Sequence, residues 1–203
     1  MPMLMQKATA TFSLGVWKIE EEADFFSATS DYHSDATHPA RKLQQMATRF
    51  LLLQLEPSLP VRQIVLGEAG KPMLENNKLE FNLSHTAQMA AAIVGKMTPV
   101  GIDLEKISER VLRIQNKFLH PNELLLLEGL GKESQISILT RYWTIKEAVY
   151  KWWGKGGVDF ANDIVVENEN GDVTLVRFHK NDGILLRVHC LQVEDHWLAY
   201  VVQ

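Results

Sequence analysis

At 203 residues, with 46% hydrophobic and 23% charged residues, the chain has the composition of an ordinary globular protein, long enough for one large domain or two small ones. A formal charge of −4 gives no global reason to expect a nucleic-acid partner, and no apolar run approaches the length of a membrane span. The one cysteine, Cys190, rules out an internal disulfide and a cysteine-cluster metal site; with no charged-then-apolar leader at the start, the cytoplasm is the expected address.

In chain order, the pattern predicts a strand around Phe12 to Glu20, then a helix from Lys42 to Leu55, with Leu43, Met46, Ala47, Phe50 and Leu51 at helical spacing. Pro57 and Pro60 close that helix. Short strands follow at Val61 to Leu66, Leu79 to Leu83, Met89 to Val94 and Val100 to Glu105, separated by Gly and Pro. Helical stretches come next at Ser108 to Leu119, Pro121 to Leu130 and about Ser134 to Trp153. The last strands are expected near Asp163 to Glu167, Val173 to His179, Ile184 to Gln192 and His196 to Val202, with "ENGD" (169 to 172) as a hairpin turn. The order is α+β, and each half combines helix with antiparallel strands. We therefore expect two similar subdomains in a pseudo-twofold arrangement, residues 1–98 and 99–203, with a cleft at their junction.

"GIDLE", residues 101 to 105, opens the second half and sets Asp103 and Glu105 on one face of a strand, Ile102 and Leu104 on the other. Taken alone, D-x-E is the solvated face of an edge strand. The long helix adds to it. In "WTIKEAVYK", residues 143 to 151, Trp143, Glu147 and Lys151 fall on one stripe, and Val149, Trp152 and Trp153 make the surroundings apolar for a surface helix. An exposed Glu-Lys pair is the plain alternative. If the stripe faces a cleft, Asp103, Glu105 and Glu147 can share a magnesium ion that also takes phosphate oxygens.

Upstream, "GKP" (70 to 72) presents Lys71 on a turn, either as an exposed lysine or as a partner for a terminal phosphate. "FNLSHT" (81 to 86) ends a strand with Ser84 and His85 at a loop, where His85 is either a satisfied histidine or a phosphate donor.

"GKP", "FNLSHT", "GIDLE" and "WTIKEAVYK", in this order and at these separations, closely resemble the signature motifs of the 4'-phosphopantetheinyl transferase superfamily, in its full-length, surfactin-synthetase-activating type. The resemblance implies an enzyme with holo-acyl-carrier-protein synthase activity. It would move the phosphopantetheine arm of coenzyme A onto a serine of an acyl or peptidyl carrier protein and release 3',5'-ADP, serving fatty acid, polyketide or nonribosomal peptide synthesis. It implies a monomer with an internal pseudo-dimer. It places Asp103, Glu105 and Glu147 around magnesium and makes Glu147, directly or through a water, the base for the carrier serine. Lys151 would stabilise the leaving phosphate, and His85 would contact the phosphates. Arg41, Lys71, Pro72 and Ser84 would help to hold the nucleotide end, while Arg49 is expected to be structural. In one departure, "FFSATSDYHSDATHPARK" has no lysine before Lys42 to meet the 3'-phosphate, so its recognition would rest on Arg41, Lys71 and Ser84. A catalytically silent carrier-binding homologue and a different magnesium-dependent phosphotransferase are the alternatives.

"ERVLRIQNKFLHP" (109 to 121) sets Arg110, Arg113 and Lys117 at helical spacing with Phe118 and Leu119 at the end. The resemblance suggests that this basic stripe steers an acidic carrier and that the two apolar residues touch it; a solvated helix face is the alternative.

Overall fold

Two antiparallel sheets form, each covered by one long helix, with strands such as β6 apolar on both faces. The computed structural model describes residues 2–30, 32–67, 70–74, 79–180 and 182–203. The first sheet has strands β1 (Met3–Ala8), β2 (Phe12–Lys18), β5 (Leu79–His85) and β6 (Met89–Lys96) in the order β1-β2-β6-β5. Helices α1 (Ala23–Ser30) and α2 (Pro39–Leu55) follow β2, and a small ribbon of β3 (Ile64–Leu66) and β4 (Pro72–Leu74) precedes β5. The second sheet has β7 (Val100–Lys106), β8 (Ile164–Asn170), β9 (Val173–Phe178), β10 (Ile184–Val193) and β11 (His196–Val202) in the order β7-β11-β10-β9-β8. Between β7 and β8 run α3 (Gln115–Phe118), α4 (Pro121–Leu125) and the 22-residue α5 (Lys132–Trp153).

The period of two explains how the layers stack. Along β6, Ala90, Ala92 and Val94 pack in the cluster formed by Met46, Ala47, Phe50 and Leu51 of α2. The alternate residues Met89, Ala91 and Ile93 share a second cluster with Val100, Ile102 and Leu104 of β7 and with Leu198 and Tyr200 of β11. One strand thus joins the two halves through a common apolar layer. The opposite face of β7, carrying Gly101, Asp103 and Glu105, turns to α5. The second sheet's other cluster sets Val176, Phe178, Leu186 and Val188 against Ile145, Ala148 and Val149 of that helix.

Four expectations need revision. Residues 3–8 form a strand and 23–30 a helix where none was expected. The "GKP" turn lies where expected, with Gly70 at φ 73° in the left-handed region that a Cβ disfavours, and it leads into β4, where Leu66 pairs with Pro72. The predicted strand at 61–66 begins as a 3-10 turn, Val61–Gln63. The continuous helix expected over 108–119 is a 3-10 turn, Glu109–Arg113, then α3, because Ile114 at φ −115°, ψ −2° breaks the run. Pro121 then starts α4 inside a capping box in which His120 Nδ1 accepts from Asn122 N while a Glu123 oxygen accepts from His120 N. The turn at Gly171 and Asp172 lies where expected, with Asn170 opposite Val173.

Candidate functional site

The site forms where edge strand β5 runs beside edge strand β7 and α5 crosses above them. Gly101 makes that crossing close. A Cβ there would lie 2.1 Å from the Ala148 carbonyl oxygen and 2.7 Å from the Trp152 backbone nitrogen. No side chain fits between β7 and α5 at this point, so the helix backbone rests on the strand. The contact brings residues 147 and 151 over Asp103.

Asp103 is 3% exposed. Its Oδ1 accepts from Ser84 Oγ at 2.8 Å and from Lys151 Nζ at 2.6 Å. Ser84 Oγ in turn accepts from Leu104 N at 3.2 Å, and Lys151 Nζ also donates to the Leu83 carbonyl at 3.3 Å. Asn82 Nδ2 donates to the Lys151 carbonyl at 3.1 Å, tying the end of α5 to β5. Glu105 faces the same helix, its Oε1 accepting from Trp143 Nε1 at 3.0 Å. Both carboxylates of the D-x-E pair therefore meet α5, as side-chain alternation requires.

Burial pushes the Glu147 carboxyl up to about 7, helped by Asp103 and Glu105 and opposed by Lys151. Burial and then Asp103 raise Glu105 as well. Three carboxylates thus sense one another at low hydration. Asp103 Oδ2 is buried with no hydrogen-bond partner among the described residues. An orphaned carboxylate oxygen beside two more acidic groups is a donor set suited to a hard divalent cation. Among the described residues, however, no three acidic, histidine or cysteine side chains stand as a ready-made metal site.

On the other flank the charge is positive. His85 ends β5 and is exposed. Its proton affinity is lowered by partial desolvation of the ring, then by the cations Lys151, Arg49 and Arg41. Because the side chain is exposed, the convergence of three cations is the informative cause. Arg49, expected to be structural, stands among them. Its guanidinium lies 5.3 Å over the Tyr32 ring, and its Nε is buried without a hydrogen-bond partner among the described residues. Arg41, Gln45 and Arg49 share one face of α2 by their four-residue spacing. Arg41 and Gln45 also line an open cleft of about 420 Å³ with Tyr32 and His38.

Lys71 ion-pairs with Glu80 at 3.5 Å. Its alkyl chain lies against Gly154, the left-handed residue at φ 66° that ends α5, where a Cβ would come within 2.9 Å of Lys71 Cδ. Lys71, Pro72, Leu83, Glu147, Tyr150 and Lys151 line a cavity of about 170 Å³. The fold therefore brings Lys71, Pro72, Ser84, Asp103, Glu147 and Lys151 together, with His85, Arg41 and Arg49 along one side and Glu105 along the other.

The basic residues Arg110, Arg113 and Lys117 are exposed, and Arg110 lies near Glu105, but the three divide between the 3-10 turn and α3 and form no single helical stripe. Phe118 and Leu119 are 0% and 3% exposed and pack with Val111, Leu139 and Tyr142. They belong to the core of the second half, which corrects the expectation that they offer a docking contact.

Residues 99–201 match the sequence model of the 4'-phosphopantetheinyl transferase superfamily. A similar protein is 4'-phosphopantetheinyl transferase gsp of Aneurinibacillus migulanus, 30% identical over 146 residues, which are 71% of this chain and 60% of that protein. 4'-phosphopantetheinyl transferase psf-1 of Bacillus pumilus is 34% identical over 122 residues, covering 58% of this chain and 52% of the relative. 4'-phosphopantetheinyl transferase HetI of a Nostoc species is 38% identical over 93 residues, 43% of this chain and 39% of the relative. The chain thus spans roughly 39% to 60% of the length of these relatives.

Proposed function

The chain belongs to the 4'-phosphopantetheinyl transferase superfamily, and from that premise we propose that it transfers the 4'-phosphopantetheine arm of coenzyme A to a serine hydroxyl of an acyl or peptidyl carrier protein. The observation that carries this reading is the division of charge across one seam: buried and half-buried carboxylates on β7 and α5, cations on α2 and at the end of α5, and His85 between them. A diphosphate bridging two organic groups needs both.

In the proposed reaction the serine oxygen bonds to the phosphorus that carries the pantetheine arm. The bond from that phosphorus to the bridging oxygen breaks, and 3',5'-ADP leaves with the electron pair. Glu147, directly or through a water, takes the serine proton. Lys151, at the same carboxylate cluster, meets the negative charge that grows on the leaving phosphate. Arg41, Arg49, Lys71 and His85 hold the nucleotide phosphates in the ground state, and Ser84 keeps Asp103 in place. Asp103, Glu105 and Glu147 would hold a magnesium ion, which when bound neutralises diphosphate charge. We take residues 1–98 as the unit that supplies most nucleotide contacts and 99–203 as the unit that supplies the acidic cluster. Arg110, Arg113 and Lys117 steer the acidic carrier to the seam.

Lys151→Ala should mainly lower kcat, whereas Lys71→Ala should mainly raise KM for coenzyme A, about tenfold for the loss of one partly exposed charge contact. Dephospho-coenzyme A tests the reading: if Lys71 meets the 3'-phosphate, the Lys71→Ala penalty disappears with that substrate, and an unchanged penalty reassigns the residue. For the carrier, the double reversal Arg113→Glu with Lys117→Glu should raise KM for carrier several-fold at low salt and flatten its salt dependence, with coenzyme A binding unchanged. Wild-type carrier kinetics in that variant would place docking elsewhere.

A further inference from the structure

The W-x-x-K-E run contains a lysine that the transfer chemistry leaves unused. Lys146 precedes Glu147 but lies about 100° round the helix from it, turned into the protein interior. It is 0% exposed. Its ammonium donates to the Phe118 carbonyl at 2.7 Å, to Glu123 Oε2 at 2.7 Å and to the Phe160 carbonyl at 3.0 Å, so all three protons are used. Glu123, 1% exposed, is equally saturated. Its Oε2 also accepts from His120 N at 2.7 Å, and its Oε1 accepts from Val166 N at 2.8 Å. One buried ion pair thus pins α5 to the end of α3, the start of α4, the loop at Phe160 and strand β8.

The same connections lead back to the site. The Phe160 ring stacks on Trp143 at 5.5 Å and lies 5.3 Å from the Tyr150 ring. Trp143 donates to Glu105, and Tyr150 lines the cavity beside Glu147. A buried ion pair is weak evidence for stability, because well-packed apolar residues often replace one without loss. Geometry is the more specific use. Side-chain tips on a helix lie about 5 to 6 Å from its axis, so a roll of about 10° would move Glu147 and Lys151 by roughly 1 Å, enough to slow a reaction about a hundredfold.

We propose that the Lys146–Glu123 pair is a positioning unit that fixes the roll of α5 and thereby aims Glu147 and Lys151 at the reacting phosphate. The inference rests on the transfer reading above. Both residues act through others, and neither touches substrate.

Glu123→Asp tests it, since the charge stays and the reach shortens by one methylene. The expected result is a folded protein whose kcat falls at least tenfold while KM for coenzyme A and affinity for 3',5'-ADP stay within twofold, because the proposed nucleotide contacts lie mostly on α2 and at β4. Phe26→Leu, in the core of the first half, serves as a destabilised control and should keep its kcat while folded. If Glu123→Asp does not fold, Glu123→Gln is measured in the same way. Wild-type kcat in a folded Glu123 variant overturns the proposal. So does an equal loss of kcat in the Phe26→Leu control, and so does a failure of both Glu123 variants to fold, which would make the pair a folding element. A wild-type protein that binds 3',5'-ADP but transfers nothing overturns the transfer reading, and the positioning role falls with it.

Discussion

Asp103→Ala should lower transfer by about a thousandfold, roughly 4 kcal/mol of barrier, while the protein still folds and binds 3',5'-ADP. Asp103 occupies the centre of the acidic cluster: it holds Lys151 at 2.6 Å, receives Ser84 at 2.8 Å and keeps a second oxygen unpartnered. Its removal takes away both a donor to the proposed cation and the group that holds the leaving-group lysine. Folding is less affected, because loss of this charge also relieves the repulsion that raises the proton affinity of Glu147 and Glu105. Nucleotide affinity, which the proposal assigns to the cations on the opposite flank, should stay within a few-fold by calorimetry. Transfer within tenfold of wild type would remove Asp103 from the chemistry.

Gly101→Ala should have the largest effect on stability. The new methyl would meet backbone atoms, the Ala148 carbonyl at 2.1 Å and the Trp152 nitrogen at 2.7 Å, so no rotamer change relieves the clash and α5 itself must lift. Overpacking of this kind costs about 3 kcal/mol or more, a fall in melting temperature of roughly 6 to 12 °C in a chain of this size. Whatever stays folded should also transfer poorly, since α5 carries Glu147 and Lys151. A melting temperature within 2 °C of wild type, by calorimetry scaled as above, would mean that the strand and helix are not in fixed contact.

The second half was largely legible because its elements are long and strongly periodic. Strands β9 to β11 and helix α5 follow from alternation and from the 3.6-residue spacing, and the D-x-E pair faces the stripe of Trp143, Glu147 and Lys151 as that spacing requires. Strand β1 and helix α1 escaped notice for physical reasons. The strand MLMQKA is only half-buried, without a clean alternation, and the helix ADFFSATS is rich in residues of modest helix propensity. That helix is held by tertiary contact, Phe26 packing edge-on against Phe50 at 5.5 Å. The stretch 109–121 has helical spacing, yet Val111, Phe118 and Leu119 each dock separately into the core, and tertiary packing overrides the period. Lys146 was visible only as a letter of the motif, because its partner Glu123 lies 23 residues away and their meeting depends on the fold. Arg49 shows the reverse case: its four-residue spacing from Gln45 and Arg41 lies in the sequence, but only the approach of β5 brings His85 up to that face.

The most direct measurement is incubation of the protein with coenzyme A, magnesium and an apo carrier protein, followed by intact mass of the carrier and chromatography of the nucleotide. Each modified carrier should gain one phosphopantetheine arm at its serine, with one 3',5'-ADP released per arm and no reaction in excess chelator. An unmodified set of acyl and peptidyl carriers, in the presence of protein that demonstrably binds coenzyme A, would contradict the transfer reading and leave a binding protein in its place.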